Sequence, residues 1–142
     1  MKAVELKLFK PKAVRARPAD REGQEQTALM REIELRYPDA FALMYHVPNG
    51  GHRHKAVAAK LKGQGVKAGV PDLVLPMARG GFFGLYIEFK ATIDPAPVST
   101  SQHAYIDRLN LQGYLAIVCR GHFDAVEQLR AYLRMEPTRV AV

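Results

Sequence analysis

The residues best suited to chemistry lie in Gly69-Val70-Pro71-Asp72-Leu73 and, after a turn, in Tyr86-Ile87-Glu88-Phe89-Lys90. Asp72 opens one apolar run, while Glu88 and Lys90 stand two apart in the next, so strand alternation turns both side chains to one face. Ile87 and Phe89 then face the other way. Two carboxylates at the ends of paired strands can hold a hard divalent cation such as Mg2+ or Mn2+, which takes oxygen ligands. Such a cation acidifies a bound water and offsets charge building on a phosphate, and a lysine on the same face orients the water or the phosphate. The same residues also read as an exposed Glu88–Lys90 pair on a solvated strand face.

The helices beside these strands supply further polar residues. At about 100° per residue, Glu22 and Gln26 project within roughly 40° of each other, on the side of Leu29 and Ile33, so both point inward. Glu25 lies farther off that face but competes with Glu22, because a helix start is uncertain by a few residues. Gln102 shares a face with Ile106 and Leu109 and is a second inward polar residue. A core-facing carboxylate or amide needs polar partners, and a metal site is one place to find them; a helix end reaching solvent is the other.

The loop Asn49-Gly50-Gly51-His52-Arg53-His54 exposes backbone N–H groups and adds donors suited to phosphate, with Arg53 the favoured DNA-backbone contact. An ordinary glycine turn and a zinc site on His52 and His54 are the alternatives, the latter without a cysteine or third histidine at ligand spacing. Lys55, Lys60, Lys62 and Lys67 extend the basic region, and each also reads as part of a solvated helix face.

These residues need a scaffold, and the spacing of apolar residues predicts one. Leu29, Met30, Ile33 and Tyr37 recur at helical steps from Glu22 to Tyr37, and Pro38-Asp39 ends that helix. Phe41 to Val47 reads as a strand running into the Pro48-Asn49-Gly50-Gly51 turn, and His54 to Leu61 as a short helix stopped at Gly63-Gln64-Gly65. Leu73 to Met77 and Leu85 to Phe89, separated by Ala78-Arg79-Gly80-Gly81, predict a hairpin. Ser99 or Thr100 caps a helix that ends at Gly113; Tyr114 to Val118 is a strand, and Phe123 to Leu133 a closing amphipathic helix. The fold class is α/β, a small mixed β-sheet flanked by helices.

The chain has 142 residues, 48% of them hydrophobic, enough for one core and one domain. We expect a basic N-terminal arm over residues 1–21, read either as a frayed terminus or as a nucleic-acid contact, and a single domain over residues 22–142. Twenty-one Lys and Arg against 14 Asp and Glu leave a net charge of +7, which favours a polyanionic partner, with nucleic acid the leading candidate. The single cysteine, Cys119, has no partner for a disulfide and sits in an apolar run, as a small buried hydrophobe does. No stretch approaches the roughly 18–20 apolar residues needed to cross a bilayer, and the start of the chain lacks the apolar region of a secretory signal. No membrane is expected as a partner, and the expected location is the cytoplasm of a bacterial cell or phage-infected host.

Taken together, Glu22-x-x-x-Gln26, His46-Val47-Pro48-Asn49-Gly50-Gly51, Gly69-Val70-Pro71-Asp72, Ile87-Glu88-Phe89-Lys90 and Ser101-Gln102 resemble the VRR-NUC family. That family is a virus-type replication-repair nuclease branch of the PD-(D/E)XK, or restriction-endonuclease-like, superfamily. The resemblance spans Glu22 to Leu133, and five ordered motifs are far more specific than an isolated Pro-Asp followed by Glu-x-Lys. It implies a restriction-endonuclease-like core in which Asp72 and Glu88 are metal ligands, Lys90 is the catalytic lysine and Glu22 completes the site. Gln102 and Gln26 become supporting site residues, Gln26 on the DNA side with Asn49, Arg53 and Lys55. The resemblance further implies phosphodiester hydrolysis of DNA by a homodimer acting on branched DNA such as Holliday junctions. The rival readings are a nuclease for flap, nicked or single-stranded DNA, and a DNA-binding module with a disused site.

Overall fold

Asp20 starts the first helix: its side chain accepts the Gly23 N–H at 2.9 Å and caps α1 (Arg21–Arg36). A computed structural model describes residues 20–49 and 54–141. The expected arm therefore lies, apart from its last residues, outside the described residues. Leu29 and Ile33 of α1 are fully buried, as their spacing predicts.

Pro38 ends α1 as expected but does not open a strand. It occupies the start of a second helix, α2 (Pro38–Leu43), where its missing N–H is no loss and its fixed φ suits the first turn. The expected strand from Phe41 to Val47 shrinks to β1 (Tyr45–His46). Ala40 and Met44, four residues apart, are the buried positions, a helical spacing hidden inside a short apolar run.

After α3 (Lys55–Gly63) come β2 (Leu73–Leu75), β3 (Leu85–Lys90), α4 (Thr100–Leu111), β4 (Leu115–Arg120) and α5 (Gly121–Arg134). The sheet order is β1-β2-β3-β4, antiparallel between β1 and β2 and between β2 and β3, parallel between β3 and β4. The mixed sheet flanked by helices is thus the fold expected from the sequence. Strand β2 is shorter than the apolar run suggests, and the link to β3 turns tightly only at its tip, where the Phe82 N–H donates to the Arg79 carbonyl at 2.8 Å.

Helices α1 and α5 cover one face, burying Leu29 and Ile33 with Leu73, Ile87, Phe89, Leu129 and Tyr132. Helix α4 covers the other, with Ile106 and Leu109 against Ala116. Five of the six residues of β3 are buried, as in a central strand packed on both faces. Cys119 is fully buried, and its thiol is pushed up to about 12 by burial first and by the Asp124 charge second. Among the described residues no helix is long and apolar enough to cross a membrane.

Candidate active site

The strands diverge where the chemistry-bearing residues stand. Asp72 precedes β2, and its carboxylate accepts the Phe89 N–H at 2.8 Å, so a side chain ties β3 where the ladder has run out. Gly69 brings the chain to this point: its φ of +84° suits glycine, and a Cβ there would lie 2.3 Å from the Ser101 carbonyl oxygen. The loop thus passes directly against the first turn of α4.

Glu88 and Lys90 do project to one face, but that face is not solvated. Their exposures are 1% and 5%, which removes the reading of an exposed surface pair. Glu88 Oε1 meets Lys90 Nζ at 3.2 Å and accepts from Gln102 Nε2 at 2.5 Å, while Glu88 Oε2 is buried without a hydrogen-bond partner among the described residues. Gln102 also closes a capping box: its Oε1 accepts the Ser99 N–H at 2.7 Å, and Ser99 Oγ accepts the Gln102 N–H at 3.2 Å. One amide therefore fixes the start of α4 and holds the buried carboxylate.

Glu22, on the first turn of α1, lines the same open cleft as Asp72, Glu88, Lys90, Gln102 and Asn49, a space of about 620 Å³. Glu25 is engaged elsewhere, accepting the Thr92 N–H at 2.8 Å, so Glu22 is the helix carboxylate of the cleft. Burial raises all three cleft carboxylates above their ordinary values. Glu88 is pushed up to about 7, by burial first and by the Asp72 charge second, with Lys90 acting in opposition. Asp72 rises through burial, opposed by the Phe89 N–H, and Glu22 through burial, opposed by Lys90. Among the described residues Lys90 is the lysine that acts on all three carboxylates, so acid outnumbers base at this end of the cleft.

The donor set fits a hard cation. Among the described residues no three His, Cys, Asp or Glu side chains form a ready-made metal cage. A Mg2+-like ion does not need one, since it keeps several waters and takes one or two carboxylates. The unpartnered Glu88 Oε2, beside the Asp72 charge, is the atom such an ion would satisfy.

The expected DNA-contacting residues divide. Asn49 lines the cleft, and its Nδ2 donates to the Val70 carbonyl at 3.1 Å, steadying the approach to Asp72. Lys55 is exposed at the first position of α3 and does not line the cleft. Arg53, with Gly50, Gly51 and His52, lies outside the described residues. Gln26 turns to His46, with its amide 3.1 Å from Nδ1, and the same Nδ1 lies 2.9 Å from the Asp72 carbonyl oxygen. With its proton on Nδ1, His46 donates to the Asp72 carbonyl; with Nδ1 bare, it accepts from Gln26 Nε2.

His46 has no role that its place in the sequence suggests; only the register of β1 on β2, which sets it opposite Leu73, reveals that it braces the Asp72 backbone. Ser99 lines the cleft as well, besides capping α4.

The VRR-NUC domain family model matches residues 20–123, from the cap of α1 to the start of α5. A solved structure described as a VRR_NUC domain protein is similar over 87% of this chain and 99% of its own, with 28% sequence identity and a TM-score of 0.74. No curated protein matches the chain. With the site residues on the elements that the family match covers, the chain belongs to the VRR-NUC family of nuclease domains.

Proposed function

We propose that this chain is a divalent-metal-dependent DNA endonuclease that cuts branched DNA such as four-way junctions, as a homodimer. The observation that carries the metal-dependent reading is the buried, unpartnered Glu88 Oε2 in a cleft with two more carboxylates and Lys90. Asp72 and Glu88 would hold Mg2+ or Mn2+, with Glu22 as the third carboxylate. When bound, the ion acidifies water and offsets charge on the phosphate.

The chain's own residues set up the rest. Lys90, fixed on Glu88 Oε1 at 3.2 Å, positions the attacking water and offers a cation to the phosphate. Gln102 keeps Glu88 from turning toward solvent, and the Phe89 N–H keeps Asp72 aimed at the cleft. The net charge of +7 favours a polyanionic substrate. Branched DNA and the dimer are supported by the sequence resemblance.

The test is cleavage of end-labelled four-way junction, flap, nicked duplex, linear duplex and single-stranded DNA in Mg2+ or Mn2+, with sedimentation to read the oligomer. The junction is expected to be cut fastest. Faster cutting of flap or single-stranded DNA would replace the junction reading while leaving the nuclease intact.

A further inference from the structure

Helix α3 is anomalous in this fold. It has nine residues and none is buried, and it contributes to neither apolar cluster. Isolated helices shorter than about 12–15 residues are marginal in water, so a helix that packs so little requires another reason to persist. Its sequence, KAVAAKLKG, carries three lysines and no acid. A helix serving only as a solvated face commonly mixes both signs and gains from pairs four residues apart; this one has no anion to pair with.

Where the lysines fall is more specific than their number. Lys62 and Lys67 line the catalytic cleft together with Leu61 and Val66, in the same space as Glu88 and Lys90, whereas Lys55 and Lys60 do not line it. The turn that places Lys67 there is well defined. The Val66 N–H donates to the Leu61 carbonyl at 3.0 Å and the Gly65 N–H to the Lys62 carbonyl at 3.1 Å, with Gly65 at φ +106°. This double closure turns the chain back toward Asp72. Compensation of the helix dipole explains Lys60 and Lys62 equally and does not explain Lys67, which lies beyond the helix.

We propose that α3 and the turn after it form the phosphate-gripping wall of the cleft, with Lys62 and Lys67 neutralising backbone phosphates on either side of the scissile one. This rests on the reading of the cleft as a DNA-cleaving site. The two lysines balance the cleft's acidic residues, so that a strand is held by one wall and cut at the other.

The test is the salt dependence of binding. Affinity for labelled four-way junction and linear duplex is measured in EDTA between about 50 and 200 mM KCl for the wild type, Lys62→Gln, Lys67→Gln and Lys60→Gln. Each lysine–phosphate pair contributes about 0.9 to the steepness of log K against log salt, so Lys62→Gln and Lys67→Gln are each expected to flatten the slope by that amount. Lys60→Gln should keep the wild-type slope. Amide exchange across α3 should also slow when DNA binds.

Unchanged slopes in Lys62→Gln and Lys67→Gln, or an equal flattening in Lys60→Gln, would overturn the proposal. A wild type that binds no DNA overturns both this proposal and the nuclease reading. Binding with the expected slopes but no cutting in Mg2+ or Mn2+ would sink the catalytic reading alone.

Discussion

Replacing Asp72 with asparagine removes one of three carboxylates from a buried, charge-short site, and the metal-free protein should become more stable while its chemistry is lost. Glu88 rises from 4.5 to about 7, which corresponds to about 3 kcal/mol set against its ionised form at pH 8. Burial is the larger cause and the Asp72 charge the second, so Asp72→Asn relieves only part of this, and each pKa unit relieved is worth about 1.4 kcal/mol. Asparagine keeps an oxygen for the Phe89 N–H, so the 2.8 Å bond that ties β3 is retained.

The sign follows from linkage. A carboxylate whose folded value is raised gives stability that is present below its unfolded value and lost as pH rises through the folded one. The wild type in EDTA should therefore lose stability between about pH 4.5 and 7, and Asp72→Asn should lose less. Thermal unfolding in EDTA at pH 8 should place Asp72→Asn about 4 °C above the wild type, with a smaller gap at pH 5 where Glu88 keeps its proton. Excess Mg2+ should raise the wild type and leave the variant unmoved, because a ligand stabilises only the state that binds it. A variant less stable than the wild type at pH 8 would refute the reasoning, by showing that the anionic bond to Phe89 outweighs the repulsion.

Gln102→Leu removes both the bond to Glu88 and half of the capping box, and should cost about 2 kcal/mol in urea unfolding as well as slowing turnover at saturating DNA. Wild-type turnover in that variant would show that Glu88 needs no brace. Gly69→Ala places a Cβ 2.3 Å from the Ser101 carbonyl oxygen at a φ of +84°, and should destabilise by about 2–3 kcal/mol. A midpoint within error of the wild type would mean that the loop relaxes away from α4.

Much of this site was legible because its parts obey local rules. Glu88 and Lys90 share a face by strand alternation, Gln102 faces inward by helical spacing, and Ser99 before Thr100 announces a cap. Burial was not legible: an alternating Glu and Lys read the same on a solvated face as on one covered by α4, and only the packing of that layer decides. The choice between Glu22 and Glu25 required the position of Thr92, far along the chain. The run after Pro38 misled for a different reason. A short apolar segment fits both periods, and the buried pair Ala40 and Met44 is recognisable as helical only once the core is known. Gln26 is half-buried and not core-facing, and its partner His46 comes from a two-residue strand that no periodicity detects.

The most direct test of the central claim is single-turnover cleavage of a labelled four-way junction in Mg2+, in Mn2+ and in EDTA, with Asp72→Asn and Lys90→Ala beside the wild type. Cutting by the wild type in either metal, none in EDTA and none in either variant is the predicted result. Cutting that survives EDTA or persists in both variants, or a wild type that binds the junction and never cuts it, would contradict the assignment of Asp72, Glu88 and Lys90 as the catalytic centre.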